Sequence, residues 1–237
     1  MSGRGRVDGA AAYVLHSHPY SESSLILEIF AREQGRLALL ARGARRPRSA
    51  LRGVLLAFQP LTLSWFGLGE VKTLAGAEWR GGLPLLSGRC LMLGYYLNEL
   101  LLRLLPREDA HPRLFDAYGA ALAELACGIE AAGLRRFERV LLRELGYGLR
   151  LDRTVSEQPV RPAGRYAVLP DRGVVPLADD DDRPAYRGET LLAIEHDDYR
   201  DAQTLAEAKK VMRTLISYRL GGEGLKSRQV FIDLMEL

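Results

Sequence analysis

Leu61-Thr-Leu-Ser-Trp65 alternates apolar residues with small polar ones. A period of two marks a half-buried strand, because successive side chains leave opposite faces. Working outward, Gly67-Leu-Gly69 turns the chain, and residues 71–79 supply another strand. Upstream lie short apolar runs at 54–58, 36–41 (opened by Gly35), 25–30 and 11–16, the last ahead of a turn at His18-Pro19. About five strands with glycine at the corners suit a small closed barrel. The OB-fold leads, and an SH3-like barrel fits nearly as well, since strand count alone does not separate them.

From about Ser87 the period changes. Residues 91–105 are nearly all apolar, as in a helix buried on most sides, and 114–129 are Ala/Leu-rich and helical. In 134–145, Leu134, Phe137, Leu141 and Leu145 share one face, with Arg135, Arg136, Glu138, Arg139 and Arg143 largely off it. Gly146-Tyr-Gly148 ends that helix. Prolines then punctuate 150–200, where Pro170-Asp-Arg-Gly173 predicts a hairpin turn and residues 179–182 form an acidic run. Helical pattern returns at 201–217. There Thr204 and Glu207 have capping-box spacing and Asp201 is a rival N-cap. A short helix at 227–234 closes the chain. The expectation is an α+β protein with two domains. Residues 1–80 form an N-terminal OB-fold barrel, and 81–237 a mainly helical C-terminal domain with a small hairpin insertion.

Composition narrows the function. With 47% hydrophobic and 27% charged residues the chain is an ordinary globular protein. No apolar run near the start suggests a signal peptide, and 91–105 is too short and too polar to span a membrane, so a cytoplasmic protein without membrane contact is expected. Cys90 and Cys127 cannot make a Cys₄ site and read as buried free thiols. The net charge of +3 is unevenly divided. Residues 1–80 hold eleven Lys/Arg against six Asp/Glu, net +5, and the remainder holds 22 against 24, net −2. The basic excess points to an anionic partner at the N-terminal end.

The strongest local signal is residues 36–52, which carry Arg36, Arg42, Arg45, Arg46, Arg48 and Arg52 and no acidic residue. Guanidinium groups are permanently charged and pair bidentately with phosphate, so a loop of them between barrel strands suits nucleic acid. Phe30, Phe58, Trp65, Phe66 and Trp79 are available for base stacking; Trp65 shares the facing of Leu61 and Leu63 and belongs in the core, while Phe66 faces the other way. Catalytic signals are weak. His16, His18, His111 and His196 are scattered, the acidic run lacks the spacing of a calcium loop, and no GxxxxGK[ST] or GxGxxG is present. No enzyme, metal or cofactor is expected. The residues themselves leave two rivals to DNA binding open: an RNA-binding barrel, and a protein adaptor whose basic loop meets an acidic partner.

Several stretches, taken in order, form a recognisable set. They are Tyr13-Val-Leu-His-Ser17 with Tyr20-Ser-Glu-Ser-Ser24, Gly35-Arg36 leading into Ala41-Arg-Gly-Ala-Arg45, Phe58-Gln-Pro60, and Gly69-Glu-Val-Lys-Thr73. Downstream are Tyr96-Leu-Asn-Glu99-Leu100, Leu134-Arg-Arg-Phe-Glu138, Leu145-Gly-Tyr-Gly148, and Leu220-Gly-Gly222 with Leu225-Lys-Ser-Arg228. Together they resemble the RecO family of recombination mediators, and the resemblance implies an OB-fold and helical domain that bind single- and double-stranded DNA and anneal complementary strands without ATP. It also implies action with RecR, docking on the acidic C-terminal tail of SSB, and loading of the recombinase RecA onto SSB-coated DNA; use of RecF stays open. By the resemblance Arg36, Arg42, Arg45 and Lys72 match basic positions of the family barrel, and Arg135 an arginine that holds the SSB tail. Many relatives bind zinc through four cysteines in the region of 150–190; this sequence has none there, so no zinc is expected and packing must hold that stretch.

Overall fold

The computed structural model describes residues 5–129, 131–178 and 180–235. Five strands open the chain: β1 (Arg6–Tyr20), β2 (Ser24–Ala31), β3 (Gly35–Ala41), β4 (Leu61–Phe66) and β5 (Val71–Trp79). They close in the order β1-β2-β3-β5-β4, with β4 antiparallel to β1 and β3 parallel to β5. This order, with a short helix α1 (Leu51–Val54) between β3 and β4, is that of an OB-fold and separates it from an SH3-like barrel. The inward residues include Leu27, Ile29, Leu37, Leu39, Leu63 and Trp65, as the alternation in β4 required.

Two expectations for the barrel are corrected. Residues 54–58 are not a strand: Val54 ends α1, and Ala57 makes only an isolated bridge to Val14. Their apolar character has another cause. Ala44, Leu51, Val54 and Leu55 pack on the barrel core, so this stretch plugs one end of the barrel. Likewise β1 does not turn at His18-Pro19 but runs on to Tyr20, paired with Ser24. Proline is tolerated there because β1 has left β4 by that point and pairs only with β2 among the described strands.

By packing the chain divides into two units, Met1–Glu130 with Leu225–Leu237, and Ala131–Gly224. The expected cut near residue 80 follows secondary structure. Packing instead groups α2 (Gly88–Leu104), α3 (Pro112–Ala126) and α7 (Lys226–Met235) with the barrel. α3 lays Phe115 and Tyr118 on the outer face of β1 and β2, with ring centroids 5.1 Å (Tyr13–Phe115), 5.0 Å (Tyr13–Tyr118) and 5.4 Å (Phe30–Phe115) apart. β1 bulges between Val14 and His16, which leaves Leu15 outside the ladder. The Leu15 carbonyl instead accepts from Asn98 Nδ2 of α2 at 2.7 Å, and Asn98 Oδ1 accepts from the buried Tyr118 hydroxyl at 2.5 Å. Glu99, the next residue, accepts from the N–H groups of Lys226 and Ser227, each at 2.8 Å, and so caps α7.

The second unit holds α4 (Ala131–Glu144), α5 (Gly188–Glu195), α6 (Ala202–Arg219) and a sheet ordered β7-β6-β8, from β6 (Arg165–Leu169), β7 (Gly173–Pro176) and β8 (Tyr186–Arg187). The hairpin is where Pro170-Asp-Arg-Gly173 placed it, with Leu169 opposite Gly173. Asp201 is the N-cap of α6, its carboxylate accepting from the Thr204 N–H at 2.7 Å, in place of the capping box. Of the acidic run, Asp179 lies outside the described residues, and Asp181 is paired with Arg183. Neither cysteine is in a disulfide. The expectation of buried thiols is corrected, since Cys127 is exposed just past α3 and Cys90 is half-buried.

Candidate nucleic-acid interface

Gly43 takes a positive φ of 66° as the chain leaves β3, and the Arg45 N–H donates to the Ser23 carbonyl at 2.8 Å. Short turns follow, Arg46 N to Gly43 O at 3.1 Å and Ser49 N to Arg46 O at 3.0 Å, and lead into α1. This segment is amphipathic by conformation. Its apolar members, Ala44, Leu51 and Val54, face the barrel core, while Arg42, Arg45, Arg46, Arg48 and Arg52 are all exposed. Arg45 Nη1 donates to the Ser21 carbonyl at 3.0 Å, which ties the segment to the β1–β2 turn. Among the described residues none of these five arginines has an ion pair with an acid. Five uncompensated guanidinium groups over one barrel end make a positive field suited to a polyanion.

The other predicted basic residues are engaged elsewhere. Arg36 has a side chain only 15% exposed; its Nε donates to the Leu105 carbonyl at 2.9 Å, and its Nη1 lies 3.3 Å from Glu28. Burial, then the neighbouring Arg107, lower its pKa, and Glu28 partly offsets this. Arg107 reaches the other Glu28 oxygen at 2.5 Å. The chain around Arg107 lies so close to the start of β3 that a Cβ on Gly35, whose φ is +69°, would meet the Asp109 carbonyl at 2.0 Å. Lys72, 14% exposed, pairs with Glu108 and donates to the Gly69 carbonyl at 3.2 Å. Arg36 and Lys72 therefore hold the barrel to the α2–α3 connection.

Arg135 is also corrected. Expected off the apolar face of its helix, it is buried, with Nη2 2.9 Å from the still more deeply buried Glu138. Arg139, on the same supposedly polar side, is buried too and reaches Glu195 at 2.7 Å and Asp197 at 3.0 Å. Acids at the end of α5 supply partners that periodicity within α4 could not reveal.

Of the aromatic residues, Phe30, Phe58 and Trp65 are buried, while Phe66 and Trp79 are exposed. The Trp79 indole N–H donates to Gln59 at 3.2 Å. His16 and His18, read from the sequence as scattered, share a strand face with Tyr20 instead. His16, His18 and Tyr20 occupy alternate positions of β1, opposite Glu28, Ile26 and Ser24, and all are exposed. The two imidazoles pack edge to face at 4.2 Å. Partial burial, then His18, lower the His16 pKa against the pull of Glu28. No group of three or more His, Cys, Asp or Glu among the described residues is placed to hold a metal ion. No helix among them is long and apolar enough to cross a membrane.

Comparison with known proteins agrees with this geometry. Residues 9–82 match the family model described as Recombination protein O N terminal, and residues 87–229 match Recombination protein O C terminal. A DNA repair protein RecO from Aromatoleum aromaticum is 56% identical over the whole of both chains. One from Dechloromonas aromatica is 51% identical, also over both full lengths. One from Paraburkholderia xenovorans is 52% identical over 98% of this chain and 79% of its own.

Proposed function

From the premise that this chain belongs to the RecO family of DNA repair proteins, we propose that it is a non-enzymatic, cytoplasmic recombination mediator. It binds DNA through Arg42, Arg45, Arg46, Arg48 and Arg52, anneals complementary strands without ATP, and helps load a recombinase onto SSB-coated DNA. The observation that carries this reading is the exposed, uncompensated arginine segment over the barrel end. Its mechanism is electrostatic: guanidinium groups neutralise phosphates of two strands at once, so repulsion falls while bases find partners. Partnership with RecR and docking on the SSB tail are part of the same proposal, and family membership supports them. The dock is proposed at Arg135, whose guanidinium would have to exchange its ion pair with Glu138 for the carboxylates of the tail.

The test is annealing of complementary labelled oligonucleotides, bare and then SSB-coated, across a salt series without ATP. Both should anneal, more slowly as salt rises. Replacing Arg42, Arg45 and Arg46 together with Glu should cut DNA affinity by tenfold or more. If each contacts one phosphate, the salt slope for a single strand should become shallower by about 2. Unchanged affinity and slope would refute the assignment of these arginines. Absence of any DNA binding by the wild type near physiological salt would favour a protein adaptor.

A further inference from the structure

We propose that the outer face of the β1 arm, His16, His18 and Tyr20, is a base-stacking rail for single-stranded DNA, running beside the arginine segment that holds its phosphates. The inference rests on the DNA-binding reading above and specifies how that site treats a single strand.

Beyond its bulge, β1 pairs in unbroken register, His16 with Glu28, His18 with Ile26 and Tyr20 with Ser24, so the three rings share one face. They span roughly 13 Å along the strand, long enough for more than one base. The rings are exposed, Tyr20 by 51%, although α3 covers the same face of β1 and β2 further down, at Tyr13 and Phe30. The part of the barrel face over Tyr13 and Phe30 is thereby filled, and what stays open is the arm at the β1–β2 turn, a loop position through which OB-folds reach oligonucleotides. Half-buried Ile26 and Leu40 floor the face next to the rings.

Charge complementarity names the occupant. Arg45 is bonded through its backbone and its guanidinium to Ser23 and Ser21, in the turn that follows Tyr20. Arg42 comes directly after Ala41, which pairs with Leu25 of the same arm. The acid facing the rings, Glu28, is already held by Arg36 and Arg107 and does not oppose an anion alone. Aromatic faces beside fixed guanidinium groups are the combination that binds single strands, bases on rings and phosphates on cations. Duplex bases stack on one another and offer only their edges, so the rail serves single strands alone.

The full-length protein would be titrated with a fluorescent all-thymidine oligonucleotide, an abasic oligonucleotide of equal length, and a duplex. Replacing His16, His18 and Tyr20 together with Ala should weaken thymidine binding about tenfold or more. Binding to the abasic strand and the duplex, and the salt slope, should stay as in the wild type. The His16→Tyr/His18→Tyr variant, which enlarges the rings, should tighten thymidine binding, a gain that misfolding cannot produce. Unchanged thymidine affinity in both variants, or an equal loss on thymidine and abasic strands, would overturn the rail. If the rail variants were silent while the arginine variant lost binding, the rail alone would fall. If the wild type bound none of the three probes, the DNA-binding reading would fall with it.

Discussion

An amide inside an apolar helix is costly unless both of its ends are used, and Asn98 uses both. It satisfies the carbonyl that the β1 bulge frees and receives the hydroxyl of Tyr118. Burial, with Tyr13 nearby, pushes that phenol well above its usual pKa, so it remains a donor. Asn98→Ala should destabilise the protein by about 3 kcal/mol, and Tyr118→Phe by about 1 to 2 kcal/mol. Urea unfolding of both single variants and the double variant would check this; because the groups are coupled, the two losses should not add. At this level the sequence was readable where chemistry is local. The arginine segment stood out because it lacked acids. Arg36 and Lys72 belonged to the same charge pattern and turned out to be ion-paired inside the fold, with Glu28 and Glu108, which lie 8 and 36 residues away.

α4 shows how far periodicity reaches and where it stops. Leu134, Phe137 and Leu141 lie in the core as the 3.6-residue pattern requires, yet one flank of the charged side, Arg135, Glu138 and Arg139, is buried too, while Arg136 and Arg143 stay exposed. Arg139 is the clearest case: it is 9% exposed and joins two acids from the α5 end. Arg139→Ala should cost about 3 kcal/mol, since it removes a buried guanidinium from between two acids and leaves the partly buried Glu195 only the Leu151 N–H and the longer contact to Arg143. Arg143→Ala, removing an exposed side chain 3.8 Å from the same carboxylate, should cost about 0.5 kcal/mol or less. Thermal melts of the two variants would separate these outcomes. The barrel strands were legible for the same reason as α4, a buried face with a fixed repeat. α1 was not, because four residues are too few to establish a period, and its apolar side chains suited a strand equally well. The β1 arm was missed because Pro19 reads as a turn unless the strand is known to lie at an edge.

Taken end to end, the chain is organised around its first third in charge and in packing. The basic excess lies there, and α7 returns from residue 226 to pack in the same unit. The closing contact is Glu99. Burial alone would raise its pKa, but the Ser227 hydroxyl, the Ser227 and Lys226 N–H groups and Arg103 outweigh burial and hold it below the ordinary 4.5. The unfolded chain therefore binds the proton more readily. Stability from this carboxylate is fully present above the unfolded value and is lost as pH falls through the lower folded one. Glu99→Gln should cost about 2 kcal/mol at pH 7. The gap from wild type should narrow below about pH 4, as urea unfolding at several pH values would show. The resemblance in sequence had singled out both Tyr96-Leu-Asn-Glu99-Leu100 and Leu225-Lys-Ser-Arg228; that one caps the other is visible only in three dimensions.

A unit whose last helix is encoded after the whole of its neighbour has a consequence for synthesis. The ribosome delivers the barrel, α2 and α3 early, then all of residues 131–224, and only afterwards the helix that Glu99 caps. Until α7 has been made, the face of α2 that receives it is bare. The N-terminal unit therefore cannot be completed before residues 131–224 have been made, and a product terminated within them presents that face of α2 uncovered.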